Sequence, residues 1–572
     1  MQQNLLKYTL LFITLFAFYA AFAGTKNPVD TGSVWCKEFV KTSENTLQER
    51  RHLELFWQKR GYLFAKADSV TPLKICIQLG RKMERFWLLL PLMANTDTFL
   101  TDANGCLSYM DNVLKQHENT GYPFAKTVWV PVCETSTDIW LRLETVLGPY
   151  YKLDSLIPGN LTFKNRLYKR AARVVLGQPY NEAALQLLLV RLSAMEGILP
   201  SGVGIDLTIV NGRLLAQLPV YKGVKNQFAG LLGLATSAVG KTQITGEVSG
   251  RFYNLFGQGA DGNIEWRSFK ARSQELKMGV GLPYILGTPF ITALHLGFEK
   301  YDTIYTIFSP SVQFRFPLNA KSIFFVGIDQ TNRTRIFADE NIVRNFHQLP
   351  DNPSSRNSLV QLGFESRTIY PGTLPRKGYS IQIGGKAGYR TYVEDARIAA
   401  ITWTASAGQT ENVFDSLKRV GKFKTPQFRI EYNLSAFVPL SKLLVFKFAA
   451  QGFEFRTPVV YFNELTRFGG LKNVRGFNEQ SIFANQMHSA TLEIHAMAGD
   501  AGFFGPFYNF AWYNNQSNTG NSGDGILQGV GIVSGIKTAA GILQIIWAVG
   551  KTNTQPLALN NSKFHFGISN SF

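Results

Sequence analysis

Charged side chains are scarce in this sequence, at 17% of 572 residues, and no long apolar run follows residue 23. A transmembrane helix needs about 18 or more consecutive apolar residues, so none is expected in the rest of the chain. The seven histidines form no ligand-like cluster, and neither Gly-x-Ser-x-Gly nor His-Glu-x-x-His occurs. We therefore expect no enzymatic activity, no cofactor and no metal site.

Cysteine is also rare, and all four cysteines, Cys36, Cys76, Cys106 and Cys133, lie in the first quarter of the chain. In an exported protein, an even number of clustered cysteines indicates disulfides, here two, and three pairings are open. A zinc site is the alternative interpretation, but the sequence offers no Cys-x-x-Cys spacing for it.

The N-terminus predicts export. Lys7 precedes an apolar stretch at residues 8–23, which ends in Ala-Phe-Ala, a small-x-small cleavage pattern. We expect residues 1–23 to be a secretory signal peptide, with an uncleaved helix as the alternative. An exported chain without a transmembrane helix is periplasmic, secreted or a β-barrel.

Aromatic residues and glycine are plentiful, with 44 Phe, 22 Tyr and 51 Gly. This composition favours a β-protein with one face against lipid. The formal net charge of +19 indicates either a solvated surface or contact with anionic lipid headgroups and surface polymers. No basic run accompanies a nucleic-acid motif, so no nucleic-acid partner is expected.

The first part of the chain contains an internal sequence repeat. Gly-Tyr-Leu-Phe-Ala-Lys at residues 61–66 recurs at 121–126 as Gly-Tyr-Pro-Phe-Ala-Lys, each after a helix-like stretch and before strand-like residues. A third, weaker unit contains an amphipathic pattern at 183–195. We predict two small α+β units within residues 24–160, the first degenerate, and a last unit at 161–225. Such units either offer sheet edges to partners or act as spacers.

Residues 226–572 predict a sixteen-stranded antiparallel β-barrel, with strands of about ten residues. Alternate connections are short and rich in turn residues, whereas the opposite set includes long stretches at 334–357, 391–424 and 456–487. This asymmetry favours a transmembrane barrel with its long loops outside; a soluble β-sandwich is the alternative. Near the end of the chain, Phe564, Phe566, Ile568 and Phe572 fall on one face and predict a lipid-facing stripe.

One long loop carries a distinctive motif, Gly469 and Gly470 followed by Val474, Arg475, Gly476 and Phe477. It resembles the sixth-loop signature of the superfamily that includes BamA, TamA and the two-partner-secretion transporters. The motif falls between the eleventh and twelfth predicted strands, which is the sixth outward loop.

The resemblance implies that loop 456–487 folds into the lumen of a sixteen-stranded barrel and that the preceding units are POTRA domains. In the family, the arginine meets an acidic or polar patch on the late strands. Glu493 is our candidate partner. The chain departs from the family at Ala511-Trp512-Tyr513, where an acidic residue is common, so another partner stays open.

The function implied by the resemblance is insertion of proteins into the outer membrane or translocation of polypeptides across it. A dedicated two-partner-type exporter and a passive outer-membrane channel are the alternatives. The expected location is the cell outer membrane with the N-terminal domains in the periplasm. The expected partners are outer-membrane lipids and lipopolysaccharide, unfolded or exported polypeptide clients, and periplasmic or lipoprotein accessory subunits.

Overall fold

A computed structural model describes most of the chain, in two compact units, Met1–Tyr151 and Lys152–Phe572. The predicted signal peptide at 1–23 and Phe572 lie outside the described residues, and so does the predicted start of the last α+β unit at 161. The described ranges are 34–38, 46–71, 74–91, 96–157, 175–195, 197–200, 204–222, 226–236, 242–255, 259–270, 272–285, 288, 290–319, 321–336, 340–369, 374–404, 408–517, 522–538 and 541–569.

The first unit holds two α+β folds in succession. In the first, helix α1 packs its buried Leu53 and Trp57 on a sheet of order β1-β3-β2. In the second, helix α2 begins after Asp102, whose side chain accepts from the backbone N–H of Gly105, and covers a sheet of order β5-β4-β7-β6. The elements are β1 (Val34–Glu38), α1 (Thr46–Gln58), β2 (Lys66–Thr71), β3 (Lys74–Gln78), β4 (Arg85–Pro91), β5 (Thr96–Thr101), α2 (Ala103–Glu118), β6 (Lys126–Glu134) and β7 (Asp138–Val146).

The repeated Gly-Tyr turn has the same structural role in both folds. Gly61 and Gly121 follow the two helices with φ angles of +97° and +106°, a conformation that favours glycine. The carbonyl of Gly61 accepts from the backbone N–H of Met83, and that of Gly121 accepts from the backbone N–H of Tyr151. Each turn therefore ties the end of a helix to a segment further along the chain.

The prediction of two disulfides is wrong for one pair. Cys36 and Cys76 are partners in the register of β1 and β3, and Cys76 is disulfide-bonded. Cys106 and Cys133 are free thiols. They do not pair because Cys106 is buried between α2 and its sheet, whereas Cys133 is exposed on edge strand β6. Burial, reinforced by the carboxylate of Asp102, raises the pKa of the Cys106 thiol to about 12.

The second unit begins with another small α+β fold. Its main sheet has the order β10-β11-β8, and Asn211 and Gly212 form the turn of the β10–β11 hairpin with positive φ angles. Strand β8 pairs with β11 although it precedes the expected boundary at residue 161. The elements are β8 (Leu153–Ile157), α3 (Glu182–Ser193), β9 (Ile198–Pro200), β10 (Asp206–Val210), β11 (Arg213–Gln217) and β12 (Val220–Lys222).

All sixteen predicted barrel strands are present in one antiparallel sheet, in sequence order. The first and last strands stand at the two ends of this order and approach within 8 Å between Cα atoms, so the sheet closes into a barrel. The barrel strands are β13 (Gln227–Thr236), β14 (Thr242–Leu255), β15 (Ala260–Lys270), β16 (Ser273–Pro283), β17 (Ile291–Tyr301), β18 (Tyr305–Pro317), β19 (Ser322–Arg335), β20 (Ser355–Arg367), β21 (Gly378–Tyr392), β24 (Lys424–Pro439), β25 (Leu444–Arg456), β28 (Gln486–Ala498), β29 (Gly502–Asn515), β30 (Gly523–Thr538), β31 (Gly541–Lys551) and β32 (Ser562–Ser569). The long connections contain the short strands β22 (Thr402–Thr404), β23 (Thr410–Asn412), β26 (Thr466–Phe468) and β27 (Ile482–Ala484).

Side chains alternate between a polar interior and an apolar exterior. On β20, Gln361 is 3% exposed, whereas its neighbours Val360 and Leu362 are 58% and 57% exposed. Successive strand residues point to opposite faces of a sheet, so one face of each strand lines the lumen. An apolar outer face around a polar lumen is typical of a barrel that sits in lipid.

The two long connections before the motif loop fold into a cap at one end of the barrel. Helices α4 (Glu340–Phe346), α5 (Ala396–Ala399) and α6 (Val413–Arg419) bury Val343, Ile398 and Phe414 in one hydrophobic cluster. Within the described part of the chain, no helix is long and apolar enough to cross a membrane.

Candidate functional site: the inward loop

The motif loop at residues 456–487 lies inside the barrel. Its hairpin β26–β27 leads to Val474, which is fully buried and packs with Phe453, Ala511 and Leu527 from three different wall strands. Because these strands surround the loop, the tip of the loop is enclosed by the wall.

Arg475 meets Glu493 on β28, the partner that we predicted. An Nη of Arg475 lies 3.0 Å from Oε1 of Glu493, and the two side chains are 9% and 1% exposed. The guanidinium carbon also lies 4.8 Å from the ring centroid of Phe507, a cation–π distance.

Glu493 is the centre of a four-residue cluster that the sequence did not reveal. Nζ of Lys447 lies 3.1 Å from Oε1, and Nε2 of His495 lies 2.6 Å from Oε2. The carboxylate thus joins the loop arginine to a wall lysine and a wall histidine. Leaving one charge of such a buried pair without its partner costs about 3–5 kcal/mol, so this cluster fixes the loop tip to the wall.

The tip rests on glycines of the last strands. Gly476 has a φ of +91°, and a Cβ on it would lie 2.7 Å from the backbone nitrogen of Gly550 on β31. A Cβ on Gly529 of β30 would lie 2.2 Å from the carbonyl oxygen of Arg475. The N–H of Gly476 donates to Nε2 of His565 on β32 at 3.1 Å. Glycines of β30 and β31 and the ring of His565 on β32 therefore form the seat of the loop tip, and a Cβ on Gly476, Gly529 or Gly550 would clash there.

The paired glycines at the start of the motif shape the loop itself. Gly469 and Gly470 have φ angles of +111° and +89°. The N–H of Gly470 donates to the carbonyl of Val474 at 3.0 Å, and the N–H of Leu471 donates to Oε1 of Glu479 at 2.6 Å. These hydrogen bonds close a compact turn, and Arg475 extends from this turn towards Glu493 on the barrel wall.

Two cations of the loop form ion pairs with the opposite wall. An Nη of Arg467 lies 2.7 Å from Oε1 of Glu299 on β17. Nζ of Lys472 lies 2.9 Å from Glu247 on β14 and 3.3 Å from Glu265 on β15. The loop is therefore anchored both to the early and to the late strands.

A second buried cluster lies where the loop enters the barrel. Arg390 on β21 and Glu464 are 0% and 1% exposed, and Nη1 lies 2.7 Å from Oε2. Gln427 donates to the other carboxylate oxygen at 2.8 Å, and Tyr392 and Tyr461 share a hydroxyl contact of 2.9 Å. An arginine at the end of a predicted strand is visible in the sequence, but neither its burial nor its partner is.

Polar cavities lie between the loop and the wall. One of about 410 Å³ is lined by Gln361, Lys386 and Arg467 among others, and one of about 720 Å³ reaches Arg475 and Glu493. Within the described residues, no group of three or more His, Cys, Asp or Glu side chains is placed to hold a metal ion. The arrangement is suited to holding a loop in a polar lumen.

The C-terminal stripe lies partly within the described residues. Phe564 and Phe566 on β32 point outward and are 64% and 53% exposed, while His565 between them points inward to the loop. Ile568 is paired with Leu543 in the register of β32 and β31.

The fold and the loop together define a class, a sixteen-stranded antiparallel barrel that carries an inward loop and follows small α+β units. Similar solved structures include CdiB from Escherichia coli, 12% identical, covering 92% of this chain and 98% of that chain, with a TM-score of 0.51. CdiB from Acinetobacter baumannii is 12% identical over 85% of this chain and 89% of its own, with a TM-score of 0.50. BamA from Haemophilus ducreyi lacking POTRA domains 1–3 is 15% identical over 82% and 94%, with a TM-score of 0.47.

No protein-family model matches the sequence, and no curated protein matches it. At 12% identity, the likeness to the two CdiB structures establishes the fold. The predicted fold class, a mainly β chain with a sixteen-stranded antiparallel barrel, is confirmed.

Proposed function

We propose that this protein belongs to the superfamily of BamA, TamA and the two-partner-secretion transporters and moves polypeptides into or across the outer membrane. The observation that carries the proposal is the Arg475-Gly476 tip, held inside the barrel by Glu493 and seated on Gly529 and Gly550. This is the loop position that the sequence resemblance implies for the superfamily.

The outer face of the barrel supports a membrane location. Outward side chains such as Leu492, Ile494 and Phe504 are exposed on neighbouring strands, and an apolar band of this extent is stable only against lipid or a partner. A row of rings lies towards the long-loop ends of β28 and β29, where His488 stacks with Tyr432 and Trp512. Such a row suits a membrane interface. By the lengths of the connections, we place the long loops outside and the N-terminal units in the periplasm.

The three α+β units are proposed to be POTRA-like domains that receive clients. Their sheets end in open strands, such as β10 in the last unit, where Asp206 and Ile209 are exposed. An extended client segment can pair with such an edge through backbone hydrogen bonds. Accessory periplasmic or lipoprotein subunits would use the same edges.

The first and last barrel strands, β13 and β32, meet where the barrel closes, and we call this junction the seam. The seam is the proposed exit for clients that insert into the membrane. These strands stand at the two ends of the sheet order. Gly230 and Gly233 in β13 provide no side chains for packing. A weakly held seam can part and offer its edge to a client strand.

A reversible lock on this seam tests the proposal. Cysteine pairs between residues 227–230 and 563–567 are introduced in a chain carrying Cys106→Ser and Cys133→Ser, and the protein is reconstituted in liposomes. Oxidation is expected to abolish insertion of an added barrel client, and reduction is expected to restore it. The same chain without the new pair, treated identically, controls for reduction of the native disulfide. Full insertion by the locked form would refute a seam mechanism.

The alternatives give different results in the same liposomes. A dedicated exporter passes its client through the lumen, so the seam lock leaves transport intact, while a photocrosslinker at residue 477 that pins the loop stops it. A passive channel keeps its ion conductance after deletion of residues 25–225, and neither insertion nor transport is observed.

A further inference from the structure

Four neighbouring strands, β19, β20, β21 and β24, form one continuous outward face of the barrel. Every residue of these strands is described, and the outward positions hold only two charged side chains, Arg356 and Lys424. Both are cations, both are exposed, and both lie at the strand ends next to the long loops. Elsewhere this face is apolar or neutral.

The two cations lie close together in the sheet. In the strand register, Arg356 is the partner of Thr391, and Thr391 is the partner of Lys424. With neighbouring strands about 4.8 Å apart, the two backbones are about 10 Å apart. Long arginine and lysine side chains can bridge that distance to one anionic group between them.

The surroundings of the pair are also suited to an anion. Nε of Arg356 donates to Oδ1 of Asn332 at 3.3 Å, which orients the guanidinium, and Nζ of Lys424 lies 4.4 Å from the ring centroid of Tyr389. Neither cation has a carboxylate partner among the described residues.

The next strand provides a contrast. There the outward Arg456 lies 2.5 Å from Glu454 on the same strand and is neutralised by it. Exposed apolar side chains, Ile328, Val360 and Phe428, lie directly below the cation pair. A ligand for this surface must therefore combine a negative head with an apolar body.

We infer that Arg356 and Lys424 form a binding site for the phosphate group of an anionic lipid in the outer leaflet. The acyl chains of that lipid lie along the apolar band beneath the pair. Each basic side chain at a membrane surface strengthens the binding of an anionic lipid by on the order of fivefold. This inference rests on the proposed membrane location.

The test measures lipid preference of the full-length chain in nanodiscs. Phosphatidylcholine nanodiscs contain a small fraction of phosphatidylglycerol, and lipids bound to the protein are counted by native mass spectrometry. The wild type is expected to retain phosphatidylglycerol over phosphatidylcholine by roughly 25-fold, the product of the two cations, and the double variant Arg356→Gln, Lys424→Gln is expected to lose this preference.

A matched double variant, Lys300→Gln with Lys551→Gln, makes the same change in charge. Both lysines point outward at the long-loop ends of their strands, but β17 and β31 are separate parts of the wall. This control is expected to keep the wild-type preference. Equal lipid preference in all three proteins would overturn the inference.

Two further outcomes separate this inference from the proposal beneath it. Displacement of the bound lipid by millimolar inorganic phosphate would show a site for free anions and would refute a lipid site. Failure of the wild type to enter nanodiscs would refute the membrane location and the lipid site together, whereas insertion without lipid preference refutes the lipid site alone.

Discussion

Replacing Glu493 with glutamine is expected to release the inward loop from the barrel wall. The carboxylate accepts from Arg475 at 3.0 Å, from Lys447 at 3.1 Å and contacts His495 at 2.6 Å. Glutamine keeps the size of the side chain but removes its charge. Two buried cations would then face a neutral amide inside the lumen.

The size of the effect follows from the burial of the cluster. Removing one member of a buried ion pair costs about 3–5 kcal/mol. Glutamine still accepts one hydrogen bond, so we expect the lower end of this range, about 3 kcal/mol for the loop. At 1.4 kcal/mol per factor of ten, the population of released loop rises by roughly a hundredfold. The wall is expected to remain folded, because its strand ladders do not depend on the loop.

Limited trypsin digestion of the folded protein in detergent measures this release. Cleavage after Lys472 and Arg475, followed by mass spectrometry, reports how often the tip leaves the lumen, provided that closing is faster than cleavage. The control Glu365→Gln removes an inward carboxylate that pairs with Arg315 on the wall at 2.6 Å. Equal cleavage rates for both variants and the wild type would refute the role of Glu493 as the anchor.

Three further predictions concern other parts of the molecule. The substitution Gly550→Ala places a methyl carbon 2.6 Å from the carbonyl oxygen of Gly476, so loop cleavage by trypsin is expected to increase. Cys133 is expected to react quickly with a water-soluble maleimide, whereas Cys106, buried and with a pKa raised to about 12, is expected to react only on unfolding. Arg390, the partner of Glu464, lies over Tyr392 and Tyr461, which pack in the hydrophobic cluster of the cap helices. Glu464→Gln is therefore expected to destabilise the cap by about 3–5 kcal/mol, measured by hydrogen exchange of the cap helices.

Each of these predictions has its own control. Gly384→Ala alters an inward glycine whose nearest neighbours lie 3.7 Å away, and it is expected to leave loop cleavage unchanged. Equal maleimide rates at the two free cysteines would contradict the burial of the helix thiol. Unchanged exchange in the cap would contradict the anchoring role of the pair with Arg390.

The barrel was predictable from the sequence because one residue in two must be apolar where a strand faces lipid. This rule located every barrel strand, such as β17 and β28. The position of loop 456–487 followed from counting strands, and Glu493 followed from the resemblance.

The other members of the site could not be predicted. Lys447 meets Glu493 only because the register of β25 and β28 places them opposite each other, and alternation alone does not fix that register. His495 lies two residues from Glu493 on the same strand and so on the same face, but its hydrogen bond to the carboxylate is seen only in the structure. Gly529 and Gly550 are ordinary strand glycines until the loop tip is seated on them. The same limit applied to Arg390 and its distant partner.

The long connections and the cysteines show a different limit. The cap helices α4 and α6 are short and are held by contacts with each other, so periodicity alone does not reveal them. Cysteine number indicated two disulfides, but the burial of Cys106 and the exposure of Cys133 depend on how helix and sheet pack.

The most direct test of this account is a cryo-electron microscopy map of the full-length protein in lipid nanodiscs. We predict a sixteen-stranded barrel surrounded by lipid, with the guanidinium of Arg475 inside the lumen and within about 3 Å of Glu493. A map with the loop tip outside the barrel mouth, or a protein with no lipid around its strands, would contradict the account.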